Sequence, residues 1–487
     1  MIAMTLSEIA SVLEVAAPPG SGSVEVTSVE FDTRRIAPGA LFVALPGEHA
    51  DGHDFAAAAA AAGAVALLGS RPVAALPALV VGDGAEPVLR ALSALAHHVV
   101  ARLVADGLTV VGVTGSAGKT STKDLIAAVL SRSGTVVAPP ESFNNELGHP
   151  YTVLRADRST DYLVLELSAR GIGHIAALTR IAQPCIGAVL NVGSAHLGEF
   201  GSRDAIARAK GELVEALPAA ADGGVAVLNA DDPRVAAMAA RTSAAIVTTG
   251  IEHPADIRAR HVRLDPAARA IFDLVTPEGS APVHLAVVGA HQVANALAAA
   301  AVGRAAGMDV ATVADALSAA GPASKWRMAV TELPGGVTVI NDAYNANPES
   351  MGAALDALGR IGAGRRRWAV LGEMAELGGA ADGAHLDLGR RAQRSGARVL
   401  AVGEAARHIA DGAAEEVGAG HADEPMRAAS VEDAVATLQR HIRTGDVVLV
   451  KASRAAGLER IAGRLIETLP SVLADSPSAT KARGEER

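Results

Sequence analysis

Near residue 108 a continuous apolar run gives way to apolar positions at helical spacing. Leu108-Thr-Val-Val-Gly-Val113 reads as a buried strand, and Leu125, Ile126, Val129 and Leu130 mark one side of a helix that opens at Lys119. The runs Tyr162 to Glu166, Ile186 to Asn191 and Val225 to Asn229 repeat the strand pattern, with helical stretches between them. Short, nearly continuous apolar strands alternating with helices predict a parallel sheet covered on both faces. A helix from His291 to Ala306 follows, and Gly321-Pro322 breaks the pattern.

A second series begins after that break: Val337 to Asn341, Trp368 to Gly372, Val399 to Gly403 and Val447 to Lys451, each followed by a helical stretch. It predicts another doubly wound sheet with its strand ends converging on one edge. Before residue 108 lie short strands and helices, ending in a helix from Pro87 to Ala105. The Ala56 to Ala62 run reads as helix, stopped by Gly63. The expected fold is α/β with three domains. These are a smaller α/β N-terminal domain (1–107), a central P-loop parallel-sheet domain (108–320) and a C-terminal doubly wound, Rossmann-like α/β domain (321–473). The polar residues 474–487 are expected to be a disordered tail.

Composition narrows the class. A chain of 487 residues, half of them hydrophobic, is too long for one core. Aromatics are only 2%, so Val, Leu, Ile and Ala must fill the interior. No uninterrupted apolar run spans a bilayer, and the first residues lack the basic start and long apolar core of a secretory signal. The lone Cys185 excludes an internal disulfide and suits a reducing cytoplasm. It is expected to be a small core hydrophobe. A net charge of -10 argues against a general nucleic-acid binder. A monomer without a membrane span is expected.

The chemistry is concentrated between the first strand and its helix. In Thr114-Gly-Ser-Ala-Gly-Lys-Thr-Ser121, Gly115 and Gly118 let the backbone approach a polyphosphate, and the unpaired N–H groups of the helix start point at its oxygens. Lys119 can reach the β- and γ-phosphates, and the Thr120 hydroxyl suits Mg²⁺. The usual opening glycine is Val113, and Gly112 comes one residue early. Glu166, at a strand end beside this loop, is a candidate Mg²⁺ ligand or a carboxylate on a helix dipole. Asn144 and Asn145 could contact metal or phosphate, or form a turn. Taken alone, His196 reads more readily as structural than as a metal ligand, and Lys210 as part of a solvated, charged helix face.

Together these motifs become recognisable. The loop Thr114 to Ser121, Asn144-Asn145, Glu166 in Glu-Leu-Ser-Ala-Arg-Gly-Ile-Gly, His196, Ala209-Lys-Gly-Glu212, Gly289-Ala-His-Gln-Val-Ala-Asn295 and Asn341-Asp-Ala-Tyr-Asn-Ala-Asn-Pro348 resemble, in order, the motifs of the Mur ligases. Phe31-Asp-Thr-Arg34, Gly39 to Gly47 and Asp51 to Phe55 resemble the family's uridine-nucleotide module. Within the family, the segment from Asp342 to Pro348, Leu371-Gly-Glu-Met-Ala-Glu-Leu-Gly378 and Val450-Lys-Ala-Ser-Arg454 are most similar to members that add D-alanyl-D-alanine. A member adding the third amino acid would carry an Asp-Tyr-Ala-His type sequence near 342.

The resemblance implies an ATP-dependent ligase. The carboxylate of a UDP-N-acetylmuramoyl-tripeptide would take the γ-phosphate, and the amine of D-alanyl-D-alanine would attack the acyl phosphate. It also implies two Mg²⁺ ions held by Thr120, Glu166, His196 and a carbamylated Lys210. Lys119, Lys210, His196 and Arg327 would be catalytic. His291 and Asn295 would lie on the adenine side, Asp342 would bind the ribose, and Arg327 would reach the phosphates. Thr33 and Arg34 would contact the uridine diphosphate. Asn144, Asn145, Tyr344, Asn345, Lys451 and Arg454 would complete the substrate sites, with Asp51-Gly-His a pocket-shaping turn. Two positions depart from the family pattern: Trp326 and Ser168 stand where glycine is usual. The rival readings are a sibling that adds one amino acid, or glutamate to folate, and a nucleotide-dependent switch or scaffold. A regulatory GTPase would need Asn-Lys-x-Asp, which does not occur.

Overall fold

The computed structural model describes residues 1–47, 50–417 and 424–474. The expected tail beyond Ala474 lies outside them. The central sheet has nine strands in the order 279–288, 269–276, 257–264, 245–250, 225–229, 186–189, 109–114, 162–166 and 136–137. From 136–137 to 257–264 the neighbours run parallel. The strand Thr109–Thr114 lies between Tyr162–Glu166 and Ile186–Val189, so the chain leaves it to one side and later crosses to the other. That makes its carboxyl end the switch point of the sheet, where a crevice opens.

The sequence pattern missed the other end of this sheet. Arg269–Thr276 and Gly279–Val288 pair antiparallel beside Ile257–Leu264 and form an arm. Their half-exposed faces carry Arg258, Arg260, Asp273 and His284, so no long apolar run marks them.

The helix Lys119–Leu130 buries Leu125, Ile126, Val129 and Leu130 against the alanine-rich helix Gln292–Ala305. A Cβ on Gly303 would meet Val129 Cγ1 at 2.6 Å, so glycine sets how closely the two helices approach. In the second helix, residues 298 to 303 are all buried, a distribution that suits a helix enclosed on every side.

The N-terminal part carries four parallel strands, 28–30, 40–43, 64–69 and 78–80. The expected helix Ala56–Ala62 is present and stops at Gly63, whose φ is +112°. Leu41 and Leu68 share one core with Val110, Leu163 and Leu165 of the central sheet, joined through Leu92, Leu95 and Val99 of the helix Ala85–Ala105. By length and composition that helix would pass for a membrane span, although Arg90 and Arg102 interrupt its apolar run. Val88, Leu92, Leu95, Val99 and Leu103 are buried along it, as in a core helix.

The third sheet orders its six strands 329–332, 338–341, 447–451, 367–371, 398–402 and 426–428. All but the unforeseen antiparallel edge strand Ala329–Glu332 run parallel. Each of its faces has a core of its own. The third sheet therefore meets the P-loop mainly through polar loops.

Candidate active site

The loop from Thr114 to Ser121 is shaped by three contacts. Asn191, just past Ile186–Val189, accepts the N–H groups of Ser116 and Ala117 at 3.0 and 2.9 Å and donates to Ala117 O at 3.1 Å. Thr114 is buried and donates to Leu167 O at 2.9 Å. Gly118 has φ +85°, and a Cβ there would lie 2.5 Å from Asn295 Oδ1. The buried Ser116 hydroxyl has no hydrogen-bond partner, a free polar group suited to a phosphate oxygen. Lys119 Nζ donates to Gly115 O at 2.9 Å. Burial lowers its pKa, and the nearby Glu166 carboxylate opposes that shift.

Glu166 stands beside the loop, as its strand-end position predicted. Its two oxygens accept from Thr120 Oγ1 at 3.0 Å, Ser142 Oγ at 2.8 Å and Asn144 Nδ2 at 2.7 Å. A carboxylate and a hydroxyl held together form a hard oxygen donor set, which fits Mg²⁺. Asn145 is different: its side-chain oxygen accepts the Gly148 N–H at 2.9 Å, at the start of a short helix, so part of its role is structural.

Lys210 overturns the solvated-face reading. It sits on Arg203–Glu215 with only 4% of its surface exposed. Burial, aided by repulsion from Lys119, pushes its pKa well below the ordinary lysine value. His196 adopts the left-handed region at φ +60°. Its Nδ1 is 2.7 Å from Glu376 Oε2 and 3.7 Å from Glu199. The ligand atoms of these three residues lie within 4.8 Å of one another.

The third sheet supplies the opposite wall. Arg327 Nη2 donates to Thr120 Oγ1 at 3.0 Å, and its guanidinium lies 4.2 Å from the Tyr344 ring centroid. Trp326, in the usual glycine position, has φ +56°, a conformation that favours glycine. The Arg454 guanidinium covers its ring at 4.4 Å. Lys451 is a buried cation, correcting the surface alternative. It donates to Asp342 Oδ2 at 2.6 Å and Asn345 O at 2.8 Å. Burial lowers its pKa, and Asp342 opposes that. Asp342 also accepts the Met328 N–H at 3.0 Å, so it shapes the linker next to Arg327.

These groups surround a cavity of about 1080 Å³. Ser116 to Ser121, Asn144, Asn145, Glu166, His196, His291, Asn295, Arg327, Asp342, Tyr344, Asn345, Lys451 and Arg454 line it. Thr114, Gly115 and Lys210 are not among the residues that line it. Thr33 and Arg34 lie elsewhere: Arg34 is exposed on its side chain by 86% and pairs with Asp32 at 2.7 Å. Asp51 caps His53, accepting its N–H at 2.9 Å, and so forms the expected turn.

Asn191, Ser142, Glu349 and Glu376 were not anticipated. Glu349 accepts the N–H and the hydroxyl of Ser194 at 3.0 Å, across 155 residues of sequence. Asn191 did leave a signal, a polar residue closing an apolar run beside a P-loop strand.

Residues 25–106 match the catalytic domain of the Mur ligase family, 113–303 the Mur ligase middle domain, and 326–454 the Mur ligase glutamate ligase domain. A UDP-N-acetylmuramoyl-tripeptide--D-alanyl-D-alanine ligase of Mycobacterium tuberculosis is 51% identical over 96% of this chain and 98% of its own length. The chain belongs to the Mur ligase family. Among solved Mur ligases, MurF from Acinetobacter baumannii superposes with a TM-score of 0.82 at 30% identity, over 96% of this chain and 99% of that one. MurF from Thermotoga maritima, solved in complex with ADP, gives 0.76 at 29% identity, over 91% of this chain and 98% of its own. The three matched ranges cover in turn the four-stranded N-terminal sheet, most of the central sheet and the third sheet.

Proposed function

We propose that this Mur ligase joins D-alanyl-D-alanine to UDP-N-acetylmuramoyl-tripeptide in peptidoglycan synthesis, at the expense of ATP. The observation that carries this reading is the Arg327 bridge to Thr120, which brings a cation of the third sheet onto the first turn of the P-loop helix. Phosphoryl transfer needs charge and position around the γ-phosphate, and Lys119 and Arg327 approach it from opposite walls.

A carboxylate is a poor acyl donor, so the tripeptide carboxylate first attacks the γ-phosphorus and ADP leaves. The dipeptide amine then attacks the acyl carbonyl, and inorganic phosphate departs as the amide forms. Lys119 cradles the transferred phosphoryl group, and Arg327, braced on Tyr344, meets the charge that builds there. Bound Mg²⁺ would offset charge on the phosphate oxygens. Thr120 and Glu166 would hold one ion, with His196 and a modified Lys210 at a second.

Lys210 suits that modification. Its depressed pKa raises the share of neutral amine, the form that adds to CO₂ and releases a proton to become an anionic carbamate. Lys451 and Arg454 line the third-sheet side of the cavity, which supports a role in reading a carboxylate or phosphate. The site is built within one chain, which supports a monomer. Substrates that are free nucleotides and nucleotide sugars support a cytoplasmic enzyme.

The test is direct. Purified chain mixed with Mg-ATP, UDP-N-acetylmuramoyl-tripeptide and D-alanyl-D-alanine should yield ADP and UDP-N-acetylmuramoyl-pentapeptide by mass spectrometry. ADP release without the pentapeptide, or equal use of single amino acids, would overturn the assignment.

A further inference from the structure

Among the described residues, Glu376 is the carboxylate that the third sheet brings within pairing distance of His196. It lies in the loop after Arg367–Leu371, 180 residues from the histidine in sequence, and its Oε2 approaches His196 Nδ1 to 2.7 Å, in contact but off the line of a hydrogen bond. Arg170 Nη2, 3.5 Å from Glu376 Oε1, steadies its other oxygen from the central sheet side. The backbones touch as well, since Gly198 N–H donates to Glu376 O at 3.4 Å.

Two glycines make that approach possible. A Cβ on Gly198 would lie 2.7 Å from Gly378 N, and one on Gly378 would lie 2.7 Å from Gly198 Cα. In both cases the obstruction is backbone, which cannot swing aside as a side chain can. The Gly198–Gly378 contact therefore sets how near Glu376 comes to His196. His196 itself sits at φ +60°, where a non-glycine residue persists only if its surroundings hold it.

A histidine that ligates a metal through one ring nitrogen generally gives its other N–H to a carboxylate. That bond fixes the tautomer and the ring plane. We infer that Glu376 is a positioning residue: delivered by the third sheet, it fixes the His196 imidazole for metal binding. Assembly of the cavity and readiness of the second metal site are thereby one event. The inference rests on the two-metal ligase reading given above and adds a residue from the opposite wall to it.

Mn²⁺ binding to the full chain, measured by electron paramagnetic resonance with a non-hydrolysable ATP analogue, reads the effect without turnover. Glu376→Ala should weaken the lower-affinity Mn²⁺ site by about 10- to 100-fold. The P-loop should keep its affinity for the nucleotide analogue. Glu376→Gln retains a carbonyl acceptor at the same reach and should recover most of the loss. Gly198→Ala leaves both partners chemically intact but holds the loops apart, and should reproduce the alanine defect. Unchanged Mn²⁺ affinity in Glu376→Ala would overturn the inference, as would equal defects in the Ala and Gln variants. If the wild-type chain forms the pentapeptide yet its Mn²⁺ binding ignores Glu376, this inference fails while the ligase reading stands. If the wild-type chain binds no second Mn²⁺, the two-metal site falls and the inference with it.

Discussion

Arg327 and Thr120 are separated by 207 residues, yet the guanidinium donates to the hydroxyl at 3.0 Å. The same guanidinium stacks on Tyr344, so its plane and its reach are both fixed. Arg327→Ala should lower the ligation rate roughly 10²- to 10³-fold, the usual cost of losing one preorganised charge at a transferring group. Arg327→Lys should not restore it, because an ammonium neither forks nor stacks as a guanidinium does. Steady-state kinetics with pentapeptide detection decides this, and a lysine variant at wild-type rate would contradict it.

Lys210 couples activity to stability with opposite signs. Its folded-state pKa lies well below the ordinary 10.5, so between the two values the unfolded chain binds a proton that the folded chain does not. Stability from this group therefore rises with pH towards the unfolded value and is least in acid. Lys210→Met should abolish ligation yet raise the melting temperature in CO₂-free buffer. That gain should shrink as pH rises towards the ordinary lysine value. A Met variant that melts lower at every pH would refute this.

His149 should govern part of the acid sensitivity. Burial lowers its pKa from 6.5 to about 4, so between those values the unfolded chain holds a proton that the folded chain refuses. Stability must fall as pH drops through that window, by up to about 3 kcal/mol. His149→Gln should flatten the dependence in denaturant titrations at a series of pH values. An unchanged slope would show that other groups control it.

Gly118 is irreplaceable on two counts. At φ +85° an alanine is strained by about 1–3 kcal/mol, and its Cβ would press on an Asn295 amide already held by Gln292 at 2.9 Å. Gly118→Ala should lower both thermal stability and ADP affinity by calorimetry. Normal ADP binding would show that the loop tolerates the strain.

The sequence pattern disclosed what local physics determines. Tyr162–Glu166 was legible because an apolar run ending in a carboxylate has few readings, and the helix Ala56–Ala62 because Gly63 ends it. The arm 257–288 was not legible, since its strands are half exposed and charged. Lys210 shows the opposite failure: the charged neighbours Arg208 and Glu212 suggested an open face, but tertiary packing buries Lys210 and Glu212 together. Glu349 and Glu376 were invisible because their partners come from the far wall of the cavity. Trp326 looked like a defect in a motif. Only its positive φ explains why glycine is usual there, and only Arg454 shows what the larger ring gains.

Asn191 fastens the Ser116 and Ala117 amides with a single side chain. An arriving nucleotide thus meets a mould that has already set. The disorder such a loop would otherwise surrender on binding was given up when the chain folded, so affinity need not be spent on casting the receptor. Loss of that one amide would remove no phosphate-facing group and still make the binding slower and weaker.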